Sequence, residues 1–194
     1  MPYTVTARNF SQASDNKIHS DEVAKKYGFS GALVPGVAVF GHLVHPLVAR
    51  FGEAWLQRSV SALRLLKPAY HGDQLDIDAD TLDATTAPDA TTWKTEPLVE
   101  ACTARGRNEL LATLHSQVPS APTAPFTKPT LDSAPKPAGQ PLMEWDTVMP
   151  DQPFSPWRWH IDPEENARYC QEVADSNPLY ETYAHPHWLL SNAN

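Results

Sequence analysis

The distribution of proline constrains this chain more than any other feature. Ten of its 19 prolines fall between Pro119 and Pro156. The run Pro119-Ser-Ala-Pro-Thr-Ala-Pro-Phe-Thr-Lys-Pro fixes φ repeatedly and removes backbone donors that a helix interior or central strand needs. It reads as a stiff, solvated connector over 119–152. That connector separates a body, 1–118, from a C-terminal piece, 153–194.

The body changes period along its length. Tyr3-Thr-Val-Thr-Ala alternates like a short strand. Ser20-Asp-Glu-Val-Ala-Lys-Lys-Tyr-Gly reads as a two-turn helix. Ser20 is its expected cap, Asp21 the dipole partner in its first turn, and Gly28 its closing residue. After Pro35-Gly36, the residues Val37, Val39, Phe40, Leu43, Val44, Leu47, Val48 and Phe51 are apolar on most sides of a helix. Such a helix is surrounded by protein. Pro46 lies within it and is expected to kink or loosen it. Strand periodicity then predicts strands over 58–67, 73–83, 96–105 and 109–118, with a hairpin at Arg105-Gly-Arg-Asn108. The fold class expected is α+β: a central helix, Val37 to Phe51, wrapped by an antiparallel sheet.

Net charge is −8, from 15 Lys and Arg against 23 Asp and Glu, which argues against a nucleic-acid surface. The apolar stretch from Gly31 to Ala49 is broken by Pro35, Gly36, His42, His45 and Pro46, so no membrane span is expected. The first residues lack the apolar core of a signal peptide. Cys102 and Cys170 make neither a disulfide framework nor a zinc finger. The expectation is a reduced, cytoplasmic protein. His42 and His45 lie three apart without further donors at metal-site spacing, so no metal is expected. The tryptophans of the connector and C-terminal piece (Trp145, Trp157, Trp159, Trp188) are expected to clamp the connector onto the body.

Several motifs carry a resemblance. They are Asn16-Lys-Ile-His-Ser-Asp21, Gly28-Phe29, Leu33-Val-Pro-Gly36, and Leu66-Lys-Pro68 followed by Gly72-Asp73. In this order they resemble the hotdog fold, and within it the MaoC-like hydratases and dehydratases. That family carries D-x-N-P-[IL]-H-x-D ahead of the central helix. The resemblance covers about the first 118 residues. It implies water addition to, or removal from, a 2-enoyl thioester, by general acid–base catalysis and without metal or redox cofactor. Coenzyme A would enter only as part of the substrate. The helix N-terminus at Gly36 and Val37 would hold the thioester oxygen as it gains charge. His19 and Asn16 match the motif. The family's catalytic aspartate position is Ser14, with Asp15 one place later. Asp15 is therefore a stand-in acid, and Ser14 joins Gly36 and Val37 as a substrate-binding candidate.

The C-terminal piece repeats the pattern as Asp175-Ser-Asn177-Pro-Leu-Tyr180, with tyrosine in the histidine's place. The first copy keeps His19 and lacks the aspartate. The second keeps Asp175 and lacks the histidine. The repeat implies a double hotdog with a pseudo-dimeric or homo-oligomeric build, whose catalytic candidates are His19, Asp15, Asn16, Asp175 and Tyr180. The second copy stops where its central helix begins, so the expectation is a fragment, or a unit completed by a partner, with Trp188-Leu-Leu190 under-buried. The partner implied is an acyl-CoA or acyl-carrier thioester. Three functions remain open at this stage: a hydratase or dehydratase, a non-catalytic acyl-thioester or subunit binder, and a thioesterase.

Overall fold

Alternating apolar and polar residues let each strand bury one face. The strands are β1 (Tyr3–Thr6), β2 (Val60–Leu65), β3 (Gln74–Asp83), β4 (Leu98–Gly106) and β5 (Glu109–Gln117). In the computed structural model they form one antiparallel sheet of order β1-β3-β4-β5-β2. Residues 3–11, 17–88, 96–120 and 160–193 are the ones the structure describes. Leu75 and Ile77 of β3 are buried, and Asp76 between them is exposed, as the sequence alternation requires.

β4 and β5 are joined by Arg107 and Asn108, at φ 52° and 62°. Two positive φ values in a two-residue loop match the right-handed twist of the flanking strands. Asn tolerates this conformation; Arg is held in it. The Arg107 guanidinium pairs with Asp73, donates to the Pro68 carbonyl at 2.9 Å, and lies 4.8 Å from the Tyr70 ring centroid. The Lys67-Pro68 and Gly72-Asp73 signals thus have a structural role, because the same tie pins the turn before β3.

The helices are α1 (Asp21–Lys26), α2 (Gly36–Phe51), α3 (Glu53–Arg58), α4 (Pro163–Glu172) and α5 (Pro186–Ala193). α2 lies on the sheet. Leu43, Val44, Leu47 and Val48 share one core with Leu75, Ile77, Cys102, Leu111 and Leu114. Burying each such side chain contributes about 1.5–3 kcal/mol, so this layer dominates stability. A helix set against a five-stranded antiparallel sheet in this order is the hotdog arrangement. Its opposite side is covered by α4 and α5, which belong with residues 1–123 to one compact unit. That is why α2 is apolar on most sides.

Two local expectations are corrected. Ser20 stands at the N-cap of α1 but its side chain makes no cap bond. The Asp21 carboxylate accepts instead from the Ala32 N–H at 2.7 Å, tying the loop after α1 back to its start. Pro46 lies inside the continuous helix α2. Proline lacks the N–H that would bond the carbonyl four residues back, and that carbonyl, His42, accepts from the Tyr3 hydroxyl at 2.5 Å. Trp188 is fully buried rather than left on the surface, although Leu189 remains partly exposed. The room for α5 comes from Gly41, whose added Cβ would stand 2.7 Å from Val173 Cγ1 and 3.1 Å from His187 Cβ. Trp145, Trp157 and Trp159 lie outside the described residues.

Candidate functional site

The start of α2 builds one wall of a cavity of about 690 Å³. Pro35 accepts from the N–H groups of Ala38 and Val39. Gly36 and Val37 therefore present the first two N–H groups of a 16-residue helix, which have no intrahelical acceptor. Both residues line the cavity, and so does His19. His19 ends a short 3-10 turn, Lys17–His19, whose carbonyl is held by the Asn9 side-chain amide at 2.9 Å. Its Nδ1 lies 2.8 Å from the Leu33 carbonyl. A carbonyl only accepts, so Nδ1 is the donor, and in the neutral imidazole Nε2 then keeps its lone pair for other work.

The opposite wall comes from the C-terminal piece, with Arg168, Tyr169 and Glu172 of α4 and His187 of α5. Burial pushes the His187 imidazole down to about 3, helped by His185 and His42 nearby. Its Nδ1 has no hydrogen-bond partner among the described residues. Burial raises the Glu172 carboxyl above its ordinary value, against the opposing charge of Arg168.

Asp175 and Tyr180 are brought together elsewhere. One Asp175 oxygen accepts from the Asn177 N–H at 3.1 Å, and Asn177 Oδ1 accepts from the Leu179 N–H at 3.1 Å. The motif thus folds itself locally. The other oxygen, Oδ2, lies 3.1 Å from His45 Nδ1 and 3.5 Å from His185 Nε2. Burial opposes the Asp175 charge, but His185 and His45 outweigh it and hold the carboxyl well below the usual carboxylate range. In return Asp175 raises His45. Burial, then the Asp175 charge, pushes the Tyr180 phenol up. The buried Asn166 side chain fixes the surrounding loop, donating to the carbonyls of Tyr180 and Tyr183 and accepting from the His185 N–H at 2.7 Å. Asp175 and Tyr180 line a separate cavity of about 630 Å³.

The sequence candidates therefore divide. His19, Gly36 and Val37 meet in one cavity; Asp175 and Tyr180 line another, and the Asp175 carboxylate faces two imidazoles outside the motif, His45 and His185. Ser14, Asp15 and Asn16 lie outside the described residues. Sequence reasoning missed Glu172 and Arg168, whose i, i+4 spacing puts them on one helix face but gives no sign of what that face meets. It also missed His45 and His185 as partners of Asp175. Burial raises both cysteine thiols, Cys102 to about 12 and Cys170 to about 11, so neither is an activated nucleophile. Among the described residues no group of three or more His, Cys, Asp or Glu could hold a metal ion. No described helix is long and apolar enough to cross a membrane.

No protein-family model matches the chain, and no curated protein matches it. Among solved structures it is similar to one from the ChsH1-ChsH2 complex of Mycobacterium tuberculosis, at 15% identity and TM-score 0.43, covering 64% of this chain and 86% of that one. It is similar to the R-hydratase PhaJ1 from Pseudomonas aeruginosa at 16% identity and TM-score 0.41, covering 61% of this chain and 79% of that one. It is also similar to BH1999 gentisyl-coenzyme A thioesterase at 11% identity and TM-score 0.36, covering 61% and 86%. Likeness of this degree carries nothing about activity.

Proposed function

We propose that the chain binds acyl thioesters in the cavity at the start of α2 and hydrates or dehydrates a 2-enoyl group there, as its MaoC-like motifs imply. The observation that carries this reading is the meeting of His19 with the N–H groups of Gly36 and Val37 in one cavity. Hydration of an enoyl thioester needs a base for water and donors for the oxygen that becomes negative. His19 Nε2 fits the first role and the helix start fits the second. Arg8 and Arg168 also line the cavity, giving local positive charge on an acidic chain, which suits the phosphates of a coenzyme A carrier.

A panel of 2-enoyl-CoA esters tests this. Loss of the enoyl chromophore is expected, and His19→Ala should lower the rate by ~10²-fold or more while a saturated acyl-CoA still binds. Release of free thiol would identify a thioesterase instead. Absence of both turnover and binding would sink the reading. A second reading, a non-catalytic acyl-thioester binder, has one observation in its favour: Asp175 faces His45 and His185. Binding without turnover on any ester would establish it.

A further inference from the structure

Hydration of an enoyl thioester moves two protons. Water gives one to a base as its oxygen bonds to C3; the double-bond pair displaced from C3 takes another at C2. The lining of the His19 cavity contains few groups able to exchange protons. Arg8 and Arg168 are guanidinium donors only. His187 is held neutral by burial down to about 3. Glu172 is the one carboxylate among the described residues that lines the cavity, and it stands on the wall contributed by α4. It is half-buried, and its neighbour Arg168, whose charge acts on it, pairs with Glu165 at 3.3 Å and lies over the Tyr169 ring.

We propose that Glu172 is the second acid–base group of this cavity, supplying from the C-terminal piece the carboxyl that the first motif copy lacks. This rests on the hydratase reading above. In hydration, His19 Nε2 takes a proton from water while the oxygen bonds to C3. The π pair moves through C2 to the thioester oxygen, held by the N–H groups of Gly36 and Val37. The enolate then collapses as Glu172 donates its carboxylic proton to C2. The imidazolium proton returns to the Glu172 carboxylate through solvent, so water is added and both residues are restored. Dehydration runs the same transfers backwards. Burial favours the protonated carboxyl this role needs.

The consequence is a division of labour across the chain. The body supplies the base and the oxygen-holding donors, and α4 supplies the acid. The motif aspartate, Asp175, lies just beyond the end of α4, where its pairing with His45 ties that helix to α2. Asp175 thereby becomes a positioning residue rather than a reacting one.

The test uses the full chain with the best ester of the panel. Glu172→Gln is expected to lower kcat by ~10²-fold, with KM within about threefold and an unchanged melting temperature. Glu172→Asp should recover part of the rate. Glu172→Ala should be rescued by added acetate in proportion to its concentration, whereas His19→Ala should not, a response that a purely structural role would not give. If Glu172→Gln stays within a few-fold of the native rate while His19→Ala is inactive, the hydratase reading stands and the Glu172 assignment is overturned. Failure of acetate to rescue Glu172→Ala overturns it as well. If the native chain turns over no enoyl ester, the hydratase reading fails, and the proton role of Glu172 with it.

Discussion

The Tyr3 hydroxyl donates to the His42 carbonyl at 2.5 Å, across the gap that Pro46 leaves in the central helix. The first strand thereby repairs a defect in a helix 39 residues further along. Tyr3→Phe should cost about 1–3 kcal/mol, because a buried carbonyl loses its donor. Pro46→Ala restores an N–H to that carbonyl, so Tyr3→Phe should cost much less in the Pro46→Ala background. Urea denaturation of the four chains measures the coupling; purely additive effects would refute the repair.

Gly41 sets how closely α5 approaches α2. Its Cβ would meet Val173 at 2.7 Å, so Gly41→Ala should overpack the contact and cost about 1–3 kcal/mol. The loss should fall on α4 and α5. Limited proteolysis should cut Gly41→Ala after residue 160 sooner than the native chain. Equal cleavage rates would count against this packing.

The buried imidazoles make stability depend on pH, with a sign that follows from their shifts. Burial lowers His42 from 6.5 to about 4 and His187 from 6.5 to about 3. Between 6.5 and those values the unfolded chain binds protons that the folded chain refuses, so stability falls as pH falls. The slope is about 1.4 kcal/mol per pH unit for each imidazole. His45 is raised by Asp175, so its contribution is complete below 6.5 and is lost as pH rises through its raised value. Asp175 is lowered, and its contribution is lost only in strong acid. Denaturation midpoints should drop from pH 6.5 to 4.5, and His42→Gln should flatten that drop. A flat native profile over this range would contradict the arrangement.

Gly36 is covered by Leu65, whose Cδ1 would stand 2.3 Å from an added Cβ, yet Leu65 is 54% exposed and free to swing away. Gly36→Val should fold and should lower kcat/KM by ~10²-fold if the thioester oxygen must reach the helix N–H groups. Leu65→Ala in the same chain relieves the side-chain clash alone. Full recovery of kcat/KM in the double variant would show that Leu65, and not backbone approach, was responsible.

Local chemistry wrote much of this protein into its sequence. The switch from helical to alternating periodicity, the apolar run after Pro35-Gly36 and the hairpin at Arg107-Asn108 each rest on interactions a few residues apart, and they specify the central helix and its sheet. His19, Gly36 and Val37, which line one cavity, were picked out from local patterns too, a motif and a helix start. Only the tertiary structure decided what covers the other side of α2. That depended on Gly41 admitting α5, and on the half-buried His45 pairing with the buried Asp175, two groups far apart in sequence. The same packing carried Glu172 into the cavity of His19, a meeting across 153 positions of sequence that no spacing rule encodes.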